Sequence, residues 1–131
     1  MRRDRILKST AAAVAASLSV LALASCGQTE DERARRAAEA YANTVVDRDF
    51  VATCDLFGPA YLRRLGGTGG CIASQRIQWA QPVEEIRILK VLAKKRRGVA
   101  KLEISRQGLG PSPLTLLLKR PEKRWLIAGQ R

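Results

Sequence analysis

Side chains capable of acid–base or metal chemistry are scarce in this sequence. It contains no histidine and three cysteines, Cys26, Cys54 and Cys71. Histidine is the side chain that most readily titrates near neutral pH, and it is the commonest metal ligand. The cysteines lack the paired close spacing of a structural zinc site. The sequence therefore predicts no metal, no cofactor and no catalytic set.

Three other polar side chains are candidates for the lining of a pocket, namely Tyr41, Asp55 and Tyr61. A general base must lie within hydrogen-bond reach of its proton and have a suitable pKa. No spacing in the sequence brings two carboxylates to one such site. Tyr41 also falls on an apolar helix stripe, where packing in the core is the simpler role. We therefore predict that the protein is not an enzyme.

The first 25 residues have the pattern of an export signal. Four basic residues lie within Met1–Lys8, and Ala11–Ala24 carries no charge. A basic segment followed by a short apolar one is typical of secretory signals, whereas a membrane-spanning helix needs about 20 apolar residues. The sequence predicts an exported protein whose residues 1–25 are removed, which leaves 106 residues to fold.

The end of this segment, Leu23-Ala24-Ser25-Cys26, resembles the lipobox of bacterial lipoproteins. The resemblance implies cleavage before Cys26, acylation of its thiol, and lipid attachment to the extracytoplasmic face of the cell membrane. Two acyl chains anchor a protein stably where a single chain does not. The alternative is ordinary secretion with Cys26 as a free thiol.

Lipidation of Cys26 would leave Cys54 and Cys71 as a pair in an oxidising compartment. We expect these two residues to form a disulfide that closes a loop of about 17 residues, for which chain entropy gives roughly 3 kcal/mol of stabilisation. The alternative is a pair of buried free thiols.

The first part of the mature chain has the pattern of helices. Thr29 and Glu32 have the spacing of a capping box, and apolar residues follow at helical intervals. Asp49 is placed to cap a second helix. The glycine-rich residues 66–70 are expected to be irregular, and a third helix is predicted over about 71–80.

The rest of the chain has the pattern of two hairpins. The first joins strands 86–92 and 99–106, and the second joins strands 114–119 and 124–128. The apolar pair Ile88-Leu89 interrupts the alternation of the first strand and predicts a bulge. Helices followed by strands indicate the α+β class, with about three helices packed on a curved antiparallel sheet of about four strands.

The sequence is strongly basic, with 24 Lys and Arg against 12 Asp and Glu and a net charge of +12. Without the leader the net charge is +9, and residues 56–131 contain 16 basic and four acidic residues. The densest basic runs fall at the predicted hairpin turns, one of them over residues 94–98. The candidates for contact with an anionic surface are Lys94, Lys95, Arg96, Arg97, Lys119, Arg120, Lys123 and Arg124.

These runs have two interpretations. They are solvated turn charges, or they contact anionic lipid headgroups or wall polymers, since basic groups near an anionic membrane gain about 1 kcal/mol each. Nucleic acid is not an expected partner, because an exported and anchored domain rarely meets it.

Several short motifs occur in a recognisable order along residues 30–131. They are Ala37-x-x-Ala40-Tyr41, Asp47-Arg48-Asp49-Phe50, Cys54-Asp55-Leu56, Gly69-Gly70-Cys71, and Leu114–Leu118 with Arg124-Trp125. This order resembles small bacterial lipoproteins, many of them actinobacterial, with a nuclear-transport-factor-2-like fold, also described as a cystatin-like cone. The resemblance implies a sheet wrapped around a long N-terminal helix, a bridge between Cys54 and Cys71, and a pocket between sheet and helices.

The predicted organisation is a leader over residues 1–25, a lipidated cysteine with a short tether over 26–30, and one domain over 31–131. The predicted function is a non-enzymatic binding or accessory module at the cell envelope. The alternative is a small-molecule pocket protein, or an enzyme resembling the isomerases and dehydratases of the cone fold, with Tyr41 and Asp55 as its polar groups.

Overall fold

The computed structural model describes residues 28–131. The predicted export signal over residues 1–25 and the predicted lipidation site at Cys26 lie outside the described residues. Export and lipidation therefore stay predictions.

Helix α1 comprises Glu30–Val46, 17 residues. The Thr29 side chain accepts a hydrogen bond from the Glu32 backbone amide at 3.2 Å, which confirms the predicted cap. The side chains that α1 buries recur on one face, so the helix packs that face against the sheet. They are Ala34, Ala38, Tyr41, Ala42 and Val45.

Three shorter helices follow, α2 over Phe50–Asp55, α3 over Pro59–Arg64 and α4 over Gly67–Gln78. Asp49 caps α2, as predicted, by accepting a hydrogen bond from the Ala52 backbone amide.

The prediction that residues 66–70 are irregular is wrong, because α4 begins at Gly67. Gly66 and Gly67 have φ angles of 92° and 82°, a region that only glycine adopts freely. A side chain on Gly70 would collide with the carbonyl oxygen of Leu65. The glycines thus allow a sharp turn and a close approach after α3, and tertiary packing overrides their low helix propensity.

The four strands form an antiparallel meander in the order β1-β2-β3-β4. They comprise Val83–Lys94, Arg97–Arg106, Ser112–Lys119 and Leu126–Gln130. Four helices and a four-stranded sheet confirm the α+β class. The first turn is shorter than the predicted 94–98, since only residues 95 and 96 separate the strands.

Three register shifts interrupt the sheet, and one of them lies at the start of β1, between Val83 and Glu85. Another lies between Ile88 and Lys90, which confirms the predicted irregularity in β1. The third lies between β3 and β4, where Leu117 pairs with Gly129 and Leu118 pairs with Ile127, so Ala128 has no opposite residue. An unpaired bulge residue has a backbone carbonyl that is available to other partners.

The disulfide predicted between Cys54 and Cys71 is present and joins α2 to α4, with their Cα atoms 6.1 Å apart. Both residues belong to one core cluster that lies between α1 and the sheet. Because side chains alternate along a strand, β2 directs Ala100, Leu102 and Ile104 into this core. We refer to this side of the sheet as the inner face and to the opposite side as the outer face.

A short segment after α2 runs beside β4. Phe57 forms a parallel bridge with Ile127, the Gly58 amide donates to the Ile127 carbonyl at 2.8 Å, and the Ile127 amide donates to the Leu56 carbonyl at 2.8 Å. This segment covers the free edge of β4 and fixes the start of α3 next to the sheet.

Candidate functional site

The two hairpin turns lie side by side at one end of the sheet. The Arg120 amide donates to the Arg96 carbonyl at 2.9 Å, and the Arg96 guanidinium donates to the Pro121 carbonyl at 3.2 Å. All eight basic residues that the sequence singled out belong to these turns or to the strand ends beside them. We refer to this region as the cationic end, comprising Lys94, Lys95, Arg96, Arg97, Lys119, Arg120, Lys123 and Arg124.

Helix α1 begins at the same end. The Asp31 carboxylate accepts a hydrogen bond from the Ala93 amide at 2.7 Å. Glu30 accepts from the indole nitrogen of Trp125 at 3.1 Å and lies 3.4 Å from Nε of Arg120. The first turn of α1 is thus bonded to both hairpins, which fixes the start of the described chain beside the cationic end.

The charge of the cationic end is largely uncompensated. Within residues 28–131, Arg120 is the only one of its eight cations that forms an ion pair, and its partner is Glu30. Lys95 has a φ of 59°, although turns of this kind favour glycine or asparagine at such a position. The turn therefore places a cation where local backbone preference would select an uncharged residue.

A groove of about 700 Å³ lies between α3 and the cationic end. We refer to it as the outer groove. Six cations line it and no carboxylate does, while Tyr61 and small apolar residues complete its wall. The six cations are Arg63, Arg64, Arg96, Arg97, Lys119 and Arg120.

The position of α3 follows from the pairing of Phe57 with Ile127 described above. At the other end of this helix, the Arg64 guanidinium donates to the carbonyl of the bulge residue Ala128 at 2.8 Å. The same guanidinium lies over the ring of Tyr61, 5.4 Å from its centre. The bulge in β4 thus holds α3 against the sheet and orients one wall of the outer groove.

A second depression, of about 730 Å³, continues from the outer groove along the outer face. Its floor is formed by Leu92, Val99 and Leu117, which are opposite one another on β1, β2 and β3. We refer to these three residues as the apolar strip. The two depressions share the lining residues Arg64, Arg97, Lys119 and Ala128, so they form one continuous surface.

A smaller groove of about 390 Å³ lies on the side where the described chain begins. Gln28 is part of its wall, and four cations face it. They are Arg33, Arg36, Lys123 and Arg124.

The three residues proposed for an interior pocket are not brought together. Tyr41 is fully buried, and its hydroxyl accepts a hydrogen bond from the Gln130 side chain at 2.8 Å. Burial raises the pKa of Tyr41 well above its ordinary range. Tyr61 lines the outer groove, and Asp55 is an exposed residue at the end of α2. None of the three grooves described above is lined by Tyr41 or Asp55.

The two tyrosines are linked through one aromatic side chain. The ring of Phe57 stacks on Tyr41 at 6.4 Å and on Tyr61 at 4.8 Å between ring centres. Burial also raises the pKa of Tyr61, and the nearby Arg64 opposes that rise. The phenols of both residues are therefore neutral at physiological pH.

Arg63 and Arg64 are site residues that the sequence analysis missed. Their position at the end of a short helix gave no sign that they would face the hairpin turns. A usable signal was present nonetheless, because no acidic residue occurs between Asp55 and Glu84. A long segment with basic residues and no carboxylate indicates a surface whose cations lack local partners.

Two further observations bear on the chemistry of the described part. No three Cys, Asp or Glu side chains within residues 28–131 are grouped so that they could hold a metal ion. In the same range, no helix has the length and apolar character needed to cross a membrane.

No protein-family model and no curated protein matches this sequence. Among solved structures, the chain is similar to an NTF-2 like protein of unknown function from Burkholderia xenovorans LB400. The TM-score is 0.59 and the identity 14%, over 79% of this chain and 85% of that one. It is also similar to a SEC-C motif containing protein from Rhodopseudomonas palustris, with a TM-score of 0.49 and 17% identity, over 80% of this chain and 92% of that one. The likeness to the Burkholderia structure shows that the described residues have the NTF2-like fold.

Proposed function

We propose that the protein is a non-enzymatic binding module, anchored through a lipid on Cys26 at the extracytoplasmic face of the cell membrane. In this proposal its cationic end lies against anionic lipid headgroups. The observation that carries the proposal is the convergence of the start of α1 with both cationic turns at one end of the sheet.

The length of the tether supports this orientation. Cys26 precedes Glu30 by four residues, and an extended chain of that length spans roughly 14 Å at most. Charges in physiological salt interact over a screening length of about 8 Å. An anchor at Cys26 would therefore hold the start of α1, and the cationic end beside it, within about two screening lengths of the membrane.

The distribution of charge supports a binding role over a catalytic one. The outer groove contains six cations and no carboxylate. It therefore lacks the kind of side chain that most directly accepts a proton as a general base. Such a set of groups is suited to holding anionic groups in place.

The anchor is tested with the full chain expressed in a bacterial host. Intact-mass measurement of the membrane fraction should show a product that begins at Cys26 and carries acyl groups. The Cys26→Ala variant should lack that modification. An unmodified, secreted product from the parent chain would contradict the anchor.

The surface interaction is tested separately with residues 28–131, which contain the core cluster, the side-chain caps at Thr29 and Asp49, and the disulfide. Binding to phosphatidylglycerol vesicles is compared with binding to phosphatidylcholine vesicles at several salt concentrations. The Lys95→Gln/Lys123→Gln variant removes two cations from the cationic end. It should bind the anionic vesicles roughly thirty-fold more weakly, since each basic residue contributes about 1 kcal/mol near such a surface.

The matched control removes two cations elsewhere, through Arg76→Gln and Arg87→Gln. Arg76 lies on α4 and Arg87 lies on β1, and neither belongs to the cationic end. This variant should bind within about threefold of the parent, because only charges near the surface act on it. Equal losses in both variants would show that net charge alone drives binding and that the cationic end has no special role.

A further inference from the structure

The outer groove contains three cations without a partner inside the described chain. Three of its six cations are already engaged, since Arg64 and Arg96 donate to the carbonyls of Ala128 and Pro121 and Arg120 forms an ion pair with Glu30. The remaining three form no hydrogen bond or ion pair through their side chains within residues 28–131. They are Arg63, Arg97 and Lys119.

Two of these unpaired cations are held close together by the sheet. Arg97 is directly opposite Lys119 on β3 and opposite Lys94 on β1, so three cations form one row across three strands. Like charges directly opposite each other on one face repel and destabilise the pair. An anion bound at this row would relieve the repulsion.

The apolar strip begins immediately beside this row. Leu92, Val99 and Leu117 are each two residues from a member of the row, on the same face of the same strands. Leu92 is 56% exposed. Beyond the strip lies a second cationic row in which Lys90 is opposite Lys101. The outer face therefore presents an apolar surface between two sets of positive charges.

This arrangement argues against a second copy of the chain as the occupant. Two outer faces placed against each other would bring cationic rows together. The carboxylates of this face, Glu85 and Glu103, lie toward the other end of β1 and β2, and Glu103 is 3.6 Å from Arg87. A fitting occupant combines a negative charge with an alkyl chain. Guanidinium groups, moreover, match the oxygens of a phosphate with paired hydrogen bonds.

We propose that the outer groove and the apolar strip together bind one molecule of an anionic phospholipid. Its phosphate lies among Arg63, Arg97 and Lys119, and one acyl chain lies along Leu92, Val99 and Leu117. Each depression, at about 700 and 730 Å³, has the size of an ordinary ligand site. The inference rests on the proposed function, because the membrane surface is the source of the lipid.

The test uses residues 28–131 and dihexanoyl phosphatidylglycerol below its micelle concentration, with binding measured by calorimetry and by amide chemical shifts. We expect saturable binding of one lipid per chain, with shifts at the three strip residues. Dihexanoyl phosphatidylcholine, which has the same chains and no net charge, and inorganic phosphate, which has no chain, should each bind roughly tenfold more weakly or worse.

Variants separate the two parts of the site. Arg97→Gln/Lys119→Gln should weaken binding of the monomeric lipid roughly tenfold or more, through the loss of charge-assisted hydrogen bonds. Leu92→Ser should weaken it several-fold while leaving the affinity for inorganic phosphate unchanged. Lys95→Gln/Lys123→Gln, whose cations lie outside the outer groove, should bind the monomeric lipid within about twofold of the parent.

Each contrary result overturns a definite part of the proposal. Phosphate binding as tight as that of the lipid would make the outer groove a phosphate site with no role for the apolar strip. Equal binding of phosphatidylcholine would contradict the role of the cations. Absence of saturable lipid binding, together with intact vesicle binding by the parent, would refute this site and leave the proposed function standing. If the parent bound the monomeric lipid but did not bind the anionic vesicles, the proposed function would be refuted instead.

Discussion

The inner and outer faces of the sheet are built from the same strands and differ in what covers them. On the inner face, Leu116 and Ile127 are 0% exposed beneath α1 and the other helices. On the outer face, Leu92 is 56% exposed and cations flank it on two sides. Apolar residues are therefore common to both faces. Charge distinguishes them, because the buried cluster contains no charged side chain.

The space for a ligand in the described residues lies outside the core. The space between α1 and the sheet, where the resemblance implied a pocket, is occupied by large side chains that include Tyr41 and Trp79. The two largest of the three grooves described above lie outside the core, one at the cationic end and one along the outer face. Strand β3 contributes to both faces, since Leu116 lies on the inner face and the next residue, Leu117, lies on the outer face.

The largest expected effect compares these neighbouring leucines. Leu116→Ala removes a fully buried side chain and should lower the free energy of unfolding by about 2–5 kcal/mol. Leu117→Ala should cost about 1 kcal/mol or less, because Leu117 is half-buried. Urea denaturation of residues 28–131 measures both changes.

In lipid binding, Leu117→Ala should have the larger effect of the two substitutions. Leu117→Ala should weaken binding of dihexanoyl phosphatidylglycerol several-fold, whereas Leu116→Ala should leave the affinity of its folded fraction unchanged. Equal destabilisation by the two substitutions would show that the outer face is also buried in solution, and the contrast between the faces would fail.

A smaller effect is expected from alkaline pH on the inner face. Tyr41 in the unfolded chain ionises near pH 10, while burial raises its pKa in the folded state. The folded protein thus retains a proton that the unfolded chain loses. Stability is complete below about pH 10 and falls as the pH rises above it, by at most about 1.4 kcal/mol per pH unit.

The Tyr41→Phe variant should lose this pH dependence, as measured by urea midpoints between about pH 8 and pH 11. The difference between parent and variant isolates the contribution of the tyrosine. Tyr61→Phe is the control, and it should preserve most of the dependence because Tyr61 is only partly buried. An unchanged slope in Tyr41→Phe would show that its burial does not control the alkaline response.

The smallest expected effect concerns the row of cations on the outer face. Lys119→Gln should raise the free energy of unfolding by about 0.2–1 kcal/mol, because it removes a like charge opposite Arg97. Lys119→Arg keeps the charge and should leave stability unchanged. A gain in stability combined with weaker lipid binding would identify the row as a binding feature. Destabilisation by Lys119→Gln would contradict the repulsion.

Local signals in the sequence predicted much of the fold. The caps at Thr29 and Asp49 and the bulge near Ile88 depend on neighbouring residues, and the structure confirms them. The pairing of Cys54 with Cys71 followed from counting cysteines once Cys26 was assigned to a lipid.

Features that depend on distant contacts were not predictable in this way. Helix α4 begins among glycines because Gly70 fits against Leu65. The outer groove exists because Phe57 pairs with Ile127, 70 residues further along the chain. Arg63 and Arg64 reach the cationic end only through that pairing, so their spacing alone could not reveal their role.

The attachment of α1 to the hairpins also determines how the domain carries tension. A pull on the tether enters at Glu30 and Asp31, whose carboxylates bond to Trp125 and to the amide of Ala93. A ligand in the outer groove is held at the same end, next to Arg120. Force between membrane and ligand would therefore enter and leave the domain at the same end of the sheet, through the turns and the strand ends beside them.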